Sequence, residues 1–128
     1  MASSPAREVK IRRAALAFAL EASRSTAPYE FIGLLRANAR GEISEVLVIP
    51  QSVNGKGFSS IDILQLGYTS RHTGSIHSHP RGVPLPSRAD LAFFRALGSV
   101  HLIVASPYTL ASTRAYDSSG ERLLIRPV

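Results

Sequence analysis

Only two stretches of this sequence repeat apolar residues at helical spacing, Arg13 to Ser23 and Asp90 to Leu97, while the other apolar residues come in short runs ending at Gly, Pro, Asn or Asp. A chain patterned this way must build most of its core from strands. Val9 to Ile11 predicts a short opening edge strand, and the polar stretch Ser25 to Pro28 ends the first helix. Phe31 to Leu35 reads as a buried strand, joined through the turn residues Asn38 to Gly41 to a hairpin partner over Ile43 to Pro50. Asn54, Gly55 and Gly57 mark another turn, Ile61, Ile63 and Leu66 suggest a third strand, and Gly74 to His79 predicts a fourth that Pro80 stops. Beyond a proline-rich loop, Ser87 caps the second helix and Gly98 terminates it. Leu102 to Ala105 is a core strand, and the last hairpin sets Ser112 to Tyr116 against Arg122 to Arg126 across the turn Asp117 to Gly120. The predicted class is α/β (α+β), a mixed and largely antiparallel sheet flanked by two helices.

At 128 residues the chain suits one domain over 1–128, and 45% hydrophobic against 19% charged residues excludes a disordered protein. Cysteine is absent, so any metal must be held by His and carboxylate. The net charge of +6 comes almost wholly from arginines that are scattered, with only Arg12 and Arg13 adjacent and no aromatic residues interleaved. We read this as a solvated surface that favours acidic partners rather than nucleic acid. Arg12 and Arg13 precede the apolar run Ala14 to Leu20 in a signal-like order, yet Glu21 and Arg24 follow at once and an amphipathic helix explains the run better. No segment approaches the ~20 apolar residues of a membrane span, so a cytoplasmic chain with no membrane partner is expected.

The chemistry-bearing residues are concentrated in His77-Ser78-His79-Pro80 and Ser87-Arg88-Ala89-Asp90. Side chains alternate along a strand, so His77 and His79 project to one side and both imidazoles can reach a single ion. An isolated His-x-His is more often a pair of polar strand-end residues, and Ser-x-x-Asp by itself is a variant capping box. The spacing joins them: residues 80–86 can fold the helix start back so that Asp90 offers a third, oxygen ligand. Two histidines and one carboxylate leave a fourth tetrahedral position for water, the pattern of a catalytic rather than a structural zinc site.

These residues resemble the signature of the JAMM metalloproteases of the MPN domain superfamily, a distant glutamate, then His-x-His-Pro, then Ser-x-x-Asp after a fixed short spacer. His77, His79, Pro80, Ser87 and Asp90 stand at that spacing, and Pro28-Tyr29-Glu30-Phe31-Ile32-Gly33-Leu34-Leu35 is similar to the family's early strand with its glutamate. The order of strands and helices is similar over most of the chain. The resemblance implies one zinc ion per chain on His77, His79 and Asp90, whose bound water is acidified to a pKa of about 7. Glu30 would take that water's proton and pass one to the leaving amine, and Ser87 would aim its hydroxyl at the oxyanion. Without the resemblance, Glu30 would read as a solvated residue at a strand start. Gly74 reads as a turn glycine, with close backbone approach beside the histidine strand as the alternative. His72 and His101 match no motif position and read as ordinary polar residues rather than ligands.

By the same resemblance the substrate is a conjugate of ubiquitin or a ubiquitin-like modifier, cut after its Gly-Gly tail. The family also holds enzymes that trim the tail of a sulfur-carrier protein, and a non-catalytic binding module with a vestigial site is the reading from another class. Eukaryotic relatives grip ubiquitin with insertions around the motif, whereas here Glu30 and His77 are 47 positions apart and 38 residues follow Asp90, lengths that strands, turns, a helix and a hairpin consume. Tail capture by strand addition beside the site is expected instead, with Arg71, Arg81 and Arg88 adding a long-range pull on an acidic modifier. A homodimer or a larger complex remains compatible with these residues.

Overall fold

A computed structural model describes residues 7–49 and 73–128 of the chain. The elements run β1 (Glu8–Ile11), α1 (Arg13–Thr26), β2 (Ile32–Ala37), β3 (Ile43–Val48), β4 (Gly74–His79), α2 (Arg88–Ala96), β5 (Val100–Ala105), a 3-10 turn (Leu110–Ser112), β6 (Thr113–Tyr116) and β7 (Arg122–Pro127). The turn expected at Asn54 to Gly57 and the strand around Ile61, Ile63 and Leu66 lie outside the described residues.

The sheet is mixed as expected, but it closes on itself in the order β1-β3-β2-β4-β5-β6-β7. Antiparallel pairs join β2 to β3 and β4, and β6 to β5 and β7, while β1–β3, β1–β7 and β4–β5 are parallel. Val9 to Ile11 is therefore no edge strand. Glu8 to Ile11 pair in register with Leu124 to Pro127 of β7, and Ile11 also meets Ile43 of β3. The buried Val9 and Ile11 explain the closure, because a true edge would leave one row of backbone groups to solvent beside an apolar interior.

Helix α1 extends to Thr26, past the Ser23 at which its apolar spacing fades. The hydroxyls of Ser23 and Thr26 donate to the carbonyls of Ala19 and Ala22, so their polar groups are satisfied within the helix. Pro28 then forces the preceding residue out of helical space, and Ala27 is extended at φ −54°, ψ 143°. Ala15, Leu16 and Ala19 of α1 pack into an inner cluster with Ile11, Leu35, Ile43, Ile76, Leu102, Val104, Ala115 and Leu123. The other face of the sheet packs Ile103 and Tyr116 against Phe94 of α2. Both faces of β4 and β5 are thus covered, which is why these strands are buried almost throughout. No helix among the described residues is long and apolar enough to cross a membrane.

Gly74 opens β4 for a steric reason rather than as a turn residue. A Cβ placed there would lie 1.5 Å from the Val100 carbonyl oxygen, across the first pair of the parallel β4–β5 ladder. Gly74→Ala is expected to lower unfolding free energy by at least ~3 kcal/mol, since the obstacle is backbone that cannot rotate away. Gly41, at φ +77° with nothing within 4 Å of an added Cβ, is the contrast. Its alanine variant is expected to lose only the ~1–2 kcal/mol of a left-handed residue. Urea midpoints of the two variants check the difference.

Candidate metal centre

Strand β4 sets Ser75, His77 and His79 on the face that meets α2, and Gly74, Ile76 and Ser78 on the inner face. His77 is buried and His79 half-buried, and their Nε2 atoms stand 3.0 Å apart. The chain then turns at Pro80 and returns to Ser87, the N-cap of α2. Ser87 Oγ accepts from the Asp90 N–H at 3.1 Å, and the Ser87 N–H donates to Asp90 Oδ2 at 2.9 Å. The capping box thereby fixes the Asp90 carboxylate, whose Oδ1 lies 3.3 Å from His77 Nε2 and whose Oδ2 lies 3.3 Å from His79 Nε2.

Residues 80–86 are held at two points. His79 Nδ1 donates to the Val83 carbonyl at 3.0 Å, and Tyr116 Oη donates to the Pro84 carbonyl at 2.6 Å. A carbonyl can only accept, so Nδ1 of His79 carries a proton and Nε2 presents its lone pair toward His77 and Asp90 in the neutral ring. The Asp90 hydrogen bond raises the His79 pKa against the opposing effect of burial, with smaller help from the Val83 carbonyl and the charges of Asp90 and Glu30. For Asp90, burial pushes the pKa up. The hydrogen bonds from His77 and His79 and the Ser87 backbone outweigh it and hold the carboxyl well below the usual carboxylate range.

His77, His79 and Asp90 form a group of three donors able to hold a metal ion. Zinc–nitrogen bonds of ~2.0–2.1 Å in a tetrahedron place neighbouring ligand atoms about 3.3 Å apart. The two Nε2 atoms are 3.0 Å apart and each stands 3.3 Å from one of the two Asp90 oxygens, separations close to that edge, and nitrogen with carboxylate oxygen is a donor set zinc accepts. The residues fit the ion.

Glu30 comes to the same place through strand pairing. Ile32 is opposite His77, and the Ser78 N–H donates to the Phe31 carbonyl at 2.9 Å, so the register continued to Glu30 sets it opposite His79. Glu30 is exposed, at the mouth of the group rather than within it, and its charge acts on His79. All five residues singled out in the sequence, Glu30, His77, His79, Ser87 and Asp90, thus gather at one end of β4. His72 lies outside the described residues. His101 is no ligand, as expected, but neither is it an ordinary polar residue, because it is fully buried behind the site.

Two contributors were missed from sequence. Ser78, buried between the histidines, accepts the Phe31 N–H on Oγ at 2.7 Å and so ties the strand of Glu30 to that of the histidines. A serine on the otherwise apolar inner face of β4 was the available signal, masked by the histidines beside it. Tyr116 reaches the loop only through the fold, since it stands 32 positions from Pro84 and no local pattern reports the contact.

A histidine pair and a helix-capping carboxylate that could hold one ion, with a glutamate at the rim, fit a zinc site with a position left open for water better than a closed structural one. Residues 12–118 match the family of prokaryotic homologs of the JAB domain. The chain belongs to this family, and is a JAMM-type metalloprotease with zinc as its cofactor. It is 40% identical over 122 residues to a Haloferax volcanii protein named "Probable metalloprotease", covering 88% of this chain and 75% of that one. The structure described as "JAMM: A Metalloprotease-like Zinc Site in the Proteasome and Signalosome" superposes with a TM-score of 0.74 at 30% identity, over 94% of this chain and 98% of the other. A JAB1/MPN domain protein from Archaeoglobus fulgidus gives a TM-score of 0.74 at 33% identity with the same coverage.

Proposed function

We propose that the chain is a zinc isopeptidase or peptidase that cleaves after the Gly-Gly tail of ubiquitin or a ubiquitin-like modifier. The observation that carries the reading is Glu30 set opposite His79 at the rim of the three-donor group. His77, His79 and Asp90 hold one zinc per chain. When bound, the ion acidifies water and polarises the scissile carbonyl. Glu30 accepts the attacking water's proton on its carboxylate and returns a proton to the leaving nitrogen. Ser87 stabilises the oxyanion with its hydroxyl proton, which accepting the Asp90 N–H does not consume. The family resemblance supplies the substrate class, and the setting proposed for it is the cytoplasm.

Tail capture by strand addition needs a sheet edge. Among the described residues β2 and β4 have partners on both sides, which leaves β3, of which only Ile43 pairs with β1. Val46 and Val48 alternate with the β3 residues that bond β2, so their backbone groups face outward toward an extended peptide. Arg81 and Arg88 are exposed beside the site and add a long-range pull on an acidic modifier, whereas Arg71 lies outside the described residues. Cleavage is accordingly expected to slow as ionic strength rises from 0.01 to 0.15 M, where the screening length falls from ~30 to ~8 Å. A rate unchanged over that range would remove the arginines from substrate recruitment.

The deciding experiment offers lysine-linked modifier conjugates and linear tail extensions, sulfur-carrier type included, to the zinc-loaded protein, with Glu30→Gln as control. Cleavage of lysine-linked conjugates supports the isopeptidase. Cleavage of linear tails alone makes it a tail-processing protease, and salt-sensitive binding without cleavage, indifferent to Glu30, makes it a binding module.

Ser87 serves two functions that substitution can separate. Ser87→Ala is expected to lower kcat ~10²-fold and to cost ~1 kcal/mol of stability through the lost cap. Ser87→Gly should lower kcat equally yet cost only a few tenths of a kcal/mol, because glycine tolerates the N-cap. Equal kcat in Ser87→Gly and wild type would confine Ser87 to capping.

A further inference from the structure

We infer that His101 is a positioning residue of the zinc centre, clamping the strand that carries the two histidines to the helix that carries Asp90. The inference rests on the reading of His77, His79 and Asp90 as zinc ligands. His101 is fully buried on β5, in register with Ser75 across the parallel β4–β5 ladder. Its Nε2 is 2.9 Å from the Gly98 carbonyl and its Nδ1 2.7 Å from Ser75 Oγ. The Gly98 carbonyl can only accept, so Nε2 carries the proton, and in the neutral ring Nδ1 then accepts from the Ser75 hydroxyl. One imidazole is thereby held in one tautomer between two elements.

Each contact reaches a part that places a ligand. Ser75 lies two residues before His77 on the same face of β4. Gly98 follows the end of α2, and the ring of Phe94, one helical turn beyond Asp90, lies flat on the His101 ring with centroids 4.3 Å apart and planes 9° apart. Phe94 in turn stands 6.4 Å from the His77 ring and 6.0 Å from the Tyr116 ring. The capping box orients Asp90 on its helix, but it does not fix the height of the helix along β4. His101 does so, by hydrogen bonding at the C-terminal end of α2 and stacking in its middle. The requirement is sharp, because each Asp90 oxygen faces one Nε2 atom at 3.3 Å and a functional constellation must be held within about 0.5 Å. An aliphatic residue, like Ile103 further along the same face, would fill the space without desolvating two ring nitrogens, so packing alone does not account for histidine here.

The test uses the full chain with Ser75→Ala and His101→Phe combined, which keeps an aromatic ring on Phe94 and removes both tethers, and His101→Gln alone, whose amide N–H can still reach the Gly98 carbonyl. Zinc affinity is read by chelator competition, ligand geometry by the visible absorption of the cobalt-substituted protein, and folding by thermal midpoint. The double variant is expected to bind zinc ~10-fold more weakly, the lower end of what loss of supporting contacts costs a metal site, with an altered cobalt spectrum. His101→Gln is expected to recover most of that loss. A folded double variant with wild-type zinc affinity and an unchanged cobalt spectrum overturns the inference. Should the double variant not fold, the single variant His101→Phe decides: weakened zinc binding with an altered cobalt spectrum supports the clamp, and wild-type values for both overturn it. Wild-type protein that takes up no zinc would instead overturn the ligand reading itself, and the clamp with it.

Discussion

Replacing Glu30 by Gln is expected to leave zinc bound and the fold intact while the cleavage rate falls by ~10²–10⁴-fold, the range over which general acid–base groups act. Glu30 is exposed at the start of the strand, so an amide of the same shape creates no cavity and buries no new polar group. It sits opposite His79 but outside the three-donor group, so the ligands keep their positions. What the amide cannot do is accept a proton at neutral pH. Zinc content, thermal midpoint and single-turnover rate measured on one preparation separate these effects. A Gln variant that hydrolysed substrate at the wild-type rate would take the proton-transfer role away from Glu30.

The site was legible in the sequence to the extent that its geometry is local. Alternation along Gly74–His79 is enough to aim both histidines one way, and Ser87 with Asp90 is enough to start a helix whose third residue is a carboxylate. Glu30 became convincing only through the family resemblance, because its approach to His79 depends on antiparallel pairing across 49 positions of sequence that no spacing rule reports. Closure of the sheet escaped for the same reason. The pairing of Glu8 to Ile11 with Leu124 to Pro127 joins the two ends of the chain, and a short β-branched run looks alike on an edge or inside a closed sheet. His101 shows the reverse limit. A lone histidine between Val100 and Leu102 carries no local sign of the serine, carbonyl and aromatic ring that surround it.

Asp90 is the residue whose replacement should have the largest effect on the metal, and the effect can be separated from its work in the helix. Oδ2 accepts the Ser87 N–H in the capping box, while the carboxylate as a whole faces both Nε2 atoms. Asp90→Asn keeps an acceptor for the Ser87 N–H and loses the anionic ligand. Asp90→Ala loses both. The Asn variant is therefore expected to keep most of the capping stability, and the Ala variant to lose a further ~1 kcal/mol. Both should weaken zinc binding by more than ~100-fold, beyond what outer-shell substitutions cost, since two nitrogen ligands alone rarely retain the ion. His79→Ala is expected to weaken it comparably, and it also cuts the tie to the Val83 carbonyl. Thermal denaturation with and without zinc reads the difference directly. Zinc at 100 times its dissociation constant stabilises a folded binder by ~2.7 kcal/mol, a rise of several degrees in Tm for a chain of this size. Wild type should show that rise and lose it on chelation, whereas Asp90→Asn should gain at most about 0.4 kcal/mol, a degree or so, at the same concentration. An equal rise in Asp90→Asn would mean that the ion is held without this carboxylate, and the ligand set would have to be drawn from elsewhere.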